Sequence, residues 1–362
     1  MENNLEKARK IINEVDAKMA ELFIERMRAA ELVADYKKEH GLKILDKTRE
    51  DEVVRRNSER IEDPEMRAYY VNFLRNNMAV SRSYQDKLME GMRVAYSGTE
   101  GAFAHIATSK LFPTARKIAY RDFQSAYRAV ENGECDVAVL PTENSYNGEV
   151  GQVTDLMFSG TLYVNALTDL AISQDLLGVK GARISDVKEV VSHPQALGQC
   201  AGYIHSHGFS EREYANTALA AKLVADTGDK SLAAIGSAEA AEVFGLEVID
   251  HDINESRSNT TRFAVFSRSE NIHKINATGV HTILLFTVRN EAGALAKAIE
   301  IIGKRGFNMH SLRSRPMKEL LWQYYFYVEA EGNVNTHEGK AMLEELSLCC
   351  DKLKVVGTYV KD

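Results

Sequence analysis

The stretch from Leu5 to His40 restricts the fold of this chain most, because its 36 residues include no glycine and no proline. Apolar side chains recur in its first half at alternating steps of three and four, which is the spacing of a contact between helices. These positions, called the apolar seam below, are Leu5, Ala8, Ile12, Val15, Met19 and Leu22. Such a helix extends ~50 Å at ~1.5 Å per residue, and shorter helices of the same chain cannot cover it. The pattern therefore predicts an intertwined dimer.

Two further helices follow, and both have clear start signals. Asp46 is placed to cap a helix running to about residue 61, and Asp63-Pro64 supplies a cap and a first-turn proline for a helix running to residue 89. Polar residues align on shared faces of the three helices. The aligned sets are Arg26 and Lys37, then Asp46, Arg49 and Glu50, then Ser81 and Gln85. A solvated face explains any one set, but Arg26 takes the next position of the apolar seam, which favours a polar cavity.

From residue 93 to about residue 270, predicted strands alternate with predicted helices, which indicates parallel α/β sheets. The span is long enough for two lobes with a cleft between them. A strand, a tight turn at residues 97–101 and a helix from Ala102 make a good anion site, without the glycine spacing of a nucleotide fingerprint. Ligands of such sheets bind at the carboxyl ends of the strands.

Three polar motifs stand at such strand ends. They are Pro141-Thr142-Glu143-Asn144-Ser145 with Gly148, then Ser192-His193-Pro194-Gln195-Ala196 with Gln199-Cys200, then Asn259-Thr260-Thr261-Arg262-Phe263. In the third motif, a hydroxyl, a guanidinium and an aromatic ring side by side suit an acidic substrate. Alone, that motif is more typical of a strand entrance whose arginine faces solvent, so its weight comes from the two motifs that precede it.

The tail of the chain predicts a small two-layer α+β domain. Its predicted elements run strand, helix, strand, strand, helix, strand. The strands fall at residues 281–288, 308–315, 322–329 and 354–360, and the helices at residues 293–304 and 336–348.

Composition and charge exclude several classes of protein. Charged residues at 27% and apolar residues at 44% are typical of a soluble globular protein, and a net charge of -7 argues against nucleic acid as the main partner. No apolar run approaches the ~18 residues of a membrane helix, and the N-terminus lacks a basic-then-apolar signal. We therefore expect a cytoplasmic protein without a membrane partner. The four cysteines lack paired ligand spacing, so we expect no metal. We also expect no cofactor.

In their order, the three polar motifs resemble the prephenate dehydratase family. The helical segment is similar to the all-helical chorismate mutase domain, and the tail resembles an ACT regulatory domain. As a whole, the chain resembles the bifunctional chorismate mutase/prephenate dehydratases. This resemblance implies domains at residues 1–92, 93–270 and 278–362. It also implies a middle domain like periplasmic binding proteins, with one lobe at residues 93–168 and 259–269 and the other at residues 169–250.

The chorismate mutase resemblance implies a Claisen rearrangement of chorismate to prephenate. This reaction needs the substrate held in its reactive shape and the charge on the breaking ether oxygen stabilised. The implied roles are carboxylate binding by Arg26, Arg49 and the partner subunit's Arg9, donation to the ether oxygen by Lys37 and Gln85, acceptance from the ring hydroxyl by Glu50, and supporting contacts by Asp46 and Ser81.

The dehydratase resemblance implies loss of carbon dioxide and the ring hydroxyl from prephenate, which gives phenylpyruvate. Thr261 is the implied donor to the leaving hydroxyl, although a threonine is a poor acid and must be activated or act by hydrogen bonding. Glu143 is the alternative acid if the cleft favours its protonated form. The implied substrate-binding residues are Asn144, Ser145, Ser192, His193, Gln199, Asn216, Thr217, Arg262 and Phe263. The sequence leaves open whether Arg262 binds a carboxylate or braces a loop, and whether His193 contacts substrate or makes a structural hydrogen bond.

The ACT resemblance implies feedback by L-phenylalanine, bound between the ACT domains of two chains in a homodimer or larger oligomer. Gly293-Ala294-Leu295 matches the first phenylalanine-binding motif, and Ser314-Arg315-Pro316 matches the second. Arg313 stands where the second motif usually has glutamate, and it would weaken binding if it faced the ligand's ammonium group. Two rival hypotheses remain, an arogenate dehydratase and a periplasmic-binding-type amino-acid sensor. The sensor hypothesis leaves the aligned helical residues without a role.

Overall fold

The computed structural model describes residues 3–256, 258–317 and 323–361. The chain divides into two compact units that meet at Arg93 and Val94, and each unit is described by itself. The predicted order of a helical region followed by an α/β region is confirmed. No helix within the described ranges is both long and apolar enough to cross a membrane.

The first unit consists of three helices, α1 (Asn4–Glu39), α2 (Lys47–Ser58) and α3 (Pro64–Glu90). Each begins after a residue whose side chain accepts a hydrogen bond from a backbone N–H of the first turn. These residues are Asn3, Asp46 and Asp63. Pro64 takes the first position of α3, where no backbone donor is required. With 36 residues, α1 is roughly 54 Å long.

The apolar seam of α1 is exposed in this chain. Ala30 and Ala34 are the residues of α1 that the described structure buries, and both lie in the second half of the helix. In the first half, Leu22 is 63% exposed, and most of the remaining seam is exposed as well. A continuous apolar face of this length indicates a contact with another surface.

The second unit begins with an α/β region that contains two sheets. Its strands are β1 (Arg93–Ser97), β2 (Arg116–Tyr120), β3 (Val137–Asn144), β4 (Gly148–Glu149), β5 (Tyr163–Ala171), β6 (Asp175–Gly178), β7 (Glu189–Ser192), β8 (Ser210–Glu213), β9 (Leu232–Gly236), β10 (Glu247–Asp250) and β11 (Thr260–Ser267). Its helices are α4 (Phe103–Leu111), α5 (Phe123–Glu131), α6 (Gly151–Ser159), α7 (Pro194–Gln199), α8 (Ala201–His207), α9 (Thr217–Thr227) and α10 (Ala238–Phe244).

The two sheets define two lobes. The first lobe has the order β2-β1-β3-β11-β5 with β4 paired to β3, and the second has the order β10-β6-β9-β7-β8. Strand β11 joins the first sheet only after the chain has completed the second, and it runs antiparallel to both β3 and β5. The third polar motif therefore returns to lie beside the first.

The chain crosses between the lobes at residues 172–174 and again at a second segment, described at residues 251–256 and 258–259. These two crossing segments are bonded to each other, since Ile172 donates its N–H to the carbonyl of Asn259 and Ile253 donates to the carbonyl of Gln174, both at 2.8 Å. The pairing places Gln174 and Asn259 between the lobes.

The described residues of the C-terminal segment, 280–317 and 323–360, form a four-stranded antiparallel sheet with two helices. Its elements are β12 (Val280–Val288), α11 (Ala294–Lys304), β13 (Asn308–Pro316), β14 (Tyr324–Glu331), α12 (His337–Cys349) and β15 (Cys350–Val360), and the strand order is β13-β14-β12-β15. Trp322, at the start of the predicted strand at residues 322–329, lies outside the described residues.

The two inner strands of the C-terminal sheet, β14 and β12, are covered on both faces. One face packs on α11 and α12, with Leu284 and Phe286 in that core. The other face shares a core with the first lobe, where Leu285 and Tyr327 lie in one cluster with Leu140. This double burial explains why β12 is a nearly continuous apolar run.

One predicted helix is wrong in its extent. The sequence predicts a single helix at residues 195–205, whereas α7 ends at Gln199 and α8 begins at Ala201. The carbonyl of Gln199 accepts from the N–H of Glu255 at 2.9 Å, so it is unavailable to continue the helix. The break lets Gln199 face the crossing segments.

We expect Gly357→Ala to destabilise the second unit by about 1–3 kcal/mol, because the added carbon overpacks a closed contact. A Cβ on Gly357 would overlap the backbone carbonyl of Val164, where β15 presses on β5. Urea unfolding monitored in both units would measure this loss. The matched control is Gly303→Ala in α11, where a Cβ meets nothing within 4 Å and the free energy of unfolding should hold or rise. Equal midpoints for the two variants would contradict the packing argument.

Candidate active sites

A cleft of about 420 Å³ lies between the two lobes of the second unit. Residues from the first lobe, both crossing segments and the second lobe line it. The polar and charged members are Asn144, Asn147, Glu149, Gln174, His193, Gln195, Gln199, Asn216, Thr217, Asn259 and Thr261. Apart from Glu149 and the titratable His193, this wall consists of neutral amides and hydroxyls.

The hydroxyl of Thr261 is held by a network of amides. Asn144 donates from Nδ2 to Thr261 Oγ1 at 2.9 Å and to Asn259 Oδ1 at 2.8 Å. Asn259 and Gln174 both donate to Gln199 Oε1, at 3.2 and 3.4 Å. Because Thr261 accepts from Asn144, its own O–H proton is available to donate to a molecule in the cleft.

Two amide atoms of this network require a further partner. Gln174 Oε1 and Gln199 Nε2 are buried and have no hydrogen-bond partner among the described residues. Buried polar atoms are normally paired, and both residues line the cleft. A bound polar ligand is therefore a natural partner for both atoms.

Helix N-termini supply the positive potential of the cleft, since no arginine or lysine is among its described lining residues. The first turns of α4 and α9 face it through Phe103 and Thr217, and Val150 precedes α6. Free backbone N–H groups and the helix dipole favour anions at such ends. The cleft can thus bind carboxylates without a cationic side chain.

Two predicted site residues act as helix caps here. Asn216 accepts from the N–H of Leu219 at 2.7 Å at the start of α9, and His193 Nδ1 accepts from the N–H of Gln195 at 3.2 Å at the start of α7. Both also line the cleft, so each orients a helix end toward a ligand.

Several predicted site residues do not line the cleft. Ser192 is fully buried and donates to the carbonyl of Ile235 at 2.6 Å. Ser145 donates to the carbonyl of Ser258 at 3.0 Å, which fastens the turn after β3. Phe263 is buried in the core. All three side chains support the sheet or the turn next to the cleft.

Glu143 and Arg262 lie on the opposite face of the first sheet. They pair across β3 and β11, one register step from Asn144 and Thr261, and successive side chains of a strand point to opposite faces. Arg262 forms a bidentate pair with Asp169 at 2.8 and 3.1 Å, and this hydrogen bond lowers the pKa of the Asp169 carboxyl. Glu143 contacts Arg313 of the C-terminal segment at 2.6 Å. Neither Glu143 nor Arg262 is therefore placed for contact with substrate in this cleft.

In the helical unit, two predicted pairs come together between α1 and α3. Arg26 donates to Ser81, and Lys37 donates to Gln85 Oε1 at 3.4 Å and to the carbonyl of Ile44 at 2.5 Å. Ser81 and Gln85 are buried one turn apart on α3, so the four side chains form one polar strip within a mainly apolar contact.

The other predicted residues of this unit lie nearer its surface. Asp46 caps α2, and Arg49 pairs with Glu52 at 2.6 Å. Glu50 pairs with Arg82, which sequence reasoning missed. Arg9 is exposed and lies 17 positions before Arg26 on α1, about 25 Å along the helix. Arg9 cannot reach the polar strip of its own chain.

The predicted regulatory residues lie at one end of the C-terminal sheet. Leu295, two residues after Gly293 and next to Ala294, lines a second cleft of about 520 Å³ together with Met317. Ser314 and Pro316 are exposed on β13. Arg315 points the other way, toward the first lobe, where it contacts Asp155 at 3.1 Å and Glu149 at 3.4 Å. Successive side chains of a strand point to opposite faces. Arg315 therefore faces the first lobe, whereas the sequence predicted that it would contact the effector.

Among the residues that sequence reasoning missed are Gln174 in the cleft and Arg82, the partner of Glu50. Neither belongs to a motif, and each gains its position from a distant segment, Gln174 through the crossing and Arg82 through Glu50. Asn259, by contrast, stood within a motif but was not singled out.

Two family models match the chain in separate segments. Residues 8–86 match chorismate mutase type II, and residues 94–271 match prephenate dehydratase. The polar strip falls in the first match, and the cleft falls in the second.

Curated relatives cover both segments. The bifunctional chorismate mutase/prephenate dehydratase of Neisseria gonorrhoeae is 30% identical over 97% of this chain and 95% of its own length. Arogenate dehydratase/prephenate dehydratase 2 of Arabidopsis thaliana is 32% identical over 75% of this chain and 73% of its own length.

Solved structures resemble the second unit. One described as a novel type of quorum quenching acylase has a TM-score of 0.70 at 30% identity, over 75% of this chain and 98% of that chain. Prephenate dehydratase of Arthrobacter aurescens in complex with L-Phe has a TM-score of 0.68 at 24% identity, over 75% of this chain and 90% of that chain. Because a full-length relative and both family models agree in order and extent, the chain belongs to the bifunctional chorismate mutase/prephenate dehydratase family.

Proposed function

We propose that this protein rearranges chorismate to prephenate in its helical unit and converts prephenate to phenylpyruvate in the cleft of its second unit. The observation that carries the proposal is the hydrogen bond from Asn144 to Thr261 in a cleft of neutral amides. Supplying chorismate to the purified protein and following prephenate and phenylpyruvate tests both steps together.

The mutase step uses the polar strip. Lys37 and Gln85 lie together at 3.4 Å, where both can donate to the ether oxygen whose negative charge grows as the bond breaks. Arg26, fixed by Ser81, binds a carboxylate and holds the substrate in its reactive shape. Arg49 and Glu50 require only side-chain rotation to leave their present partners, Glu52 and Arg82.

In the dehydratase step, the bond to the ring carboxylate breaks and its electron pair completes the aromatic ring. The ring hydroxyl leaves at the same time and takes up a proton, so the products are carbon dioxide, water and phenylpyruvate. Thr261 donates its O–H proton to the leaving oxygen and then regains a proton from solvent. The N–H of Asn144 stabilises the negative charge that develops on Thr261 Oγ1. The N-termini of α4 and α9 bind the substrate carboxylates.

Arogenate is the second candidate substrate of the cleft. It carries an ammonium group where prephenate carries a ketone, and the Arabidopsis thaliana relative is named for both activities. Glu149 lines the cleft, but its side chain shares the strand face of Glu143 and pairs with Arg315. The case for arogenate therefore rests on that relative. Comparing kcat/KM for the two substrates decides between them.

We further propose that the protein works as a homodimer or larger homo-oligomer. The exposed apolar seam of α1 would then be covered by a second copy. The same arrangement would bring the partner subunit's Arg9 to the polar strip, which its own chain cannot do at ~25 Å. Dilution of the protein should consequently reduce mutase activity as the oligomer dissociates.

The C-terminal segment is proposed to be an ACT domain that binds L-phenylalanine. Support comes from the βαββαβ order of its elements, from the left-handed backbone of Gly293 with φ at 84° before α11, and from the apolar side chain of Leu295 in the neighbouring cleft. Binding inhibits the dehydratase only if the ligand favours a less active arrangement.

Lys37→Ala and Gln85→Ala should each lower chorismate turnover by about 10²-fold or more, because each removes a donor to the ether oxygen. Dehydration of added prephenate should stay near the native rate. The matched control is Lys38→Ala, the exposed neighbour of Lys37, which should turn over chorismate normally. Native mutase rates in both site variants would refute the assigned roles.

Thr261→Ala should abolish dehydratase activity, so that prephenate formed from chorismate accumulates. Thr261→Ser should retain part of the activity, since the hydroxyl remains. Thr260→Ala is the matched control, because Thr260 is absent from the cleft lining. A mild effect of Thr261→Ala, measured by phenylpyruvate formation, would show that another group assists the leaving hydroxyl.

L-Phenylalanine should bind the native protein and inhibit its dehydratase, as measured by calorimetry beside dehydratase assays. Leu295→Asn should weaken binding without changing the uninhibited rate, because it replaces an apolar wall of the cleft by an amide. Lys297→Asn, at an exposed position of the same helix, serves as the control. Absence of binding at millimolar ligand would assign the segment a structural role.

A further inference from the structure

The β3–β4 hairpin forms one wall of the dehydratase cleft through Asn144, Asn147, Gly148 and Glu149. Within this hairpin, Glu143 lies directly across from Glu149 in the strand register. Like charges at directly opposed positions destabilise a strand pair. Cations from elsewhere in the molecule would offset this repulsion and hold the hairpin in place.

Strand β13 of the C-terminal segment provides both cations. Arg313 Nη2 lies 2.6 Å from Glu143 Oε2, and Arg315 Nη1 lies 3.4 Å from Glu149 Oε2. Both arginine side chains are only 23% exposed, so solvent screens these pairs less than pairs on an open surface.

The two arginines are themselves held in place. The guanidinium of Arg313 stands 5.4 Å from the centre of the Tyr327 ring, a favourable cation–π distance. Arg315 also donates from Nε to Asp155 Oδ1 at 3.1 Å. Its guanidinium lies so close to Gly151 that a Cβ at that position would overlap it. Arg313 and Arg315, called the clamp below, are therefore held in position on the C-terminal sheet before they contact the hairpin.

Glu143 connects this clamp to the proposed reaction. The next residue, Asn144, donates to Thr261 Oγ1 at 2.9 Å from the opposite face of the strand. A shift of β3 at Glu143 moves Asn144 with it, because the two residues share one stretch of backbone. Without the Arg313 contact, the nearest cation recorded for Glu143 is Arg262, at 4.0 Å and already bound to Asp169.

We infer that Arg313 is a positioning residue of the dehydratase site, which acts by pairing with Glu143 and so fixes the hairpin that presents Asn144 to Thr261. This inference rests on the proposed dehydratase function. The sequence left open whether Arg313 faces an effector's ammonium group, and in the structure its guanidinium pairs with Glu143 of the first lobe. Since Met317, just beyond β13, lines the cleft next to Leu295, the same strand borders the proposed effector site and clamps the catalytic hairpin.

The test is a double-mutant cycle on prephenate dehydration with Arg313→Gln, Glu143→Gln and the double variant. Each single change should lower kcat by about tenfold or more with a smaller change in KM, since small misplacements of a catalytic group cost up to ~10²-fold. The double variant should be no slower than the slower single variant, because each change removes the same ion pair. Arg313→Lys, which keeps the charge, should recover part of the rate.

Arg305→Gln is the matched control. Arg305 also belongs to the C-terminal segment, is 29% exposed and pairs with Glu338 and Glu345, away from the hairpin. Its dehydratase rate should equal that of the native protein. Chorismate mutase activity should be unchanged in every variant, which shows that the helical unit is intact. Urea unfolding, measured on the same samples, should show that the second unit of every variant is folded under the assay conditions.

Two results would overturn this inference and leave the proposed dehydratase function standing. One is a native dehydratase rate in Arg313→Gln, including the case in which Glu143→Gln is inactive because Glu143 is itself the acid. The other is a double variant whose loss equals the product of the two single losses. Absence of dehydratase turnover in the native protein would overturn the proposed function, and the inference with it.

Discussion

The antiparallel pairing of β11 with β3 is the contact on which the second unit depends. It joins residues more than a hundred positions apart and places Asn144 beside Thr261 on one face and Glu143 beside Arg262 on the other. Because side chains alternate along both strands, one register fixes two different environments at once. The cleft face receives neutral hydrogen-bonding groups, and the opposite face receives a group of charges shared with the C-terminal sheet.

That division has an electrostatic reason. Glu329 is 4% exposed on the charged face and accepts from the hydroxyl of Tyr359 at 2.6 Å, while Arg262 lies 3.9 Å from it. Buried charges need partners of this kind to offset the loss of water. The cleft instead requires neutral binding groups, since a dianionic substrate brings its own charge. Neutral amides and helix ends can bind it, and they leave no uncompensated charge when the cleft is empty.

The first unit depends on a different constraint, the length of α1. A helix of 36 residues exceeds what α2 and α3 can cover, so its first half keeps the apolar seam exposed while its second half carries Arg26 and Lys37 into the contact with α3. The same length separates Arg9 from that contact. A second copy of the chain would both cover the exposed seam and bring an Arg9 to the polar strip. Packing and function thus support the same proposal, which solution experiments can test.

The sequence by itself determined the three helices, the caps of the second and third, the alternation of strands and helices, and the βαββαβ order of the tail, because each follows from local periodicity and capping chemistry. It also singled out Lys37, Gln85, Asn144 and Thr261. It missed short elements such as β2, β6 and α6, whose residues lack a strong period, and it ran one helix through Cys200. Only the tertiary structure decided which motif residues face the cleft: Glu143 and Arg262 belong to the same motifs as Asn144 and Thr261 but point away from it. It also brought in Gln174 and directed Arg313 to Glu143. These outcomes depend on strand register and on contacts between distant segments, and neither is encoded in any local stretch of the chain.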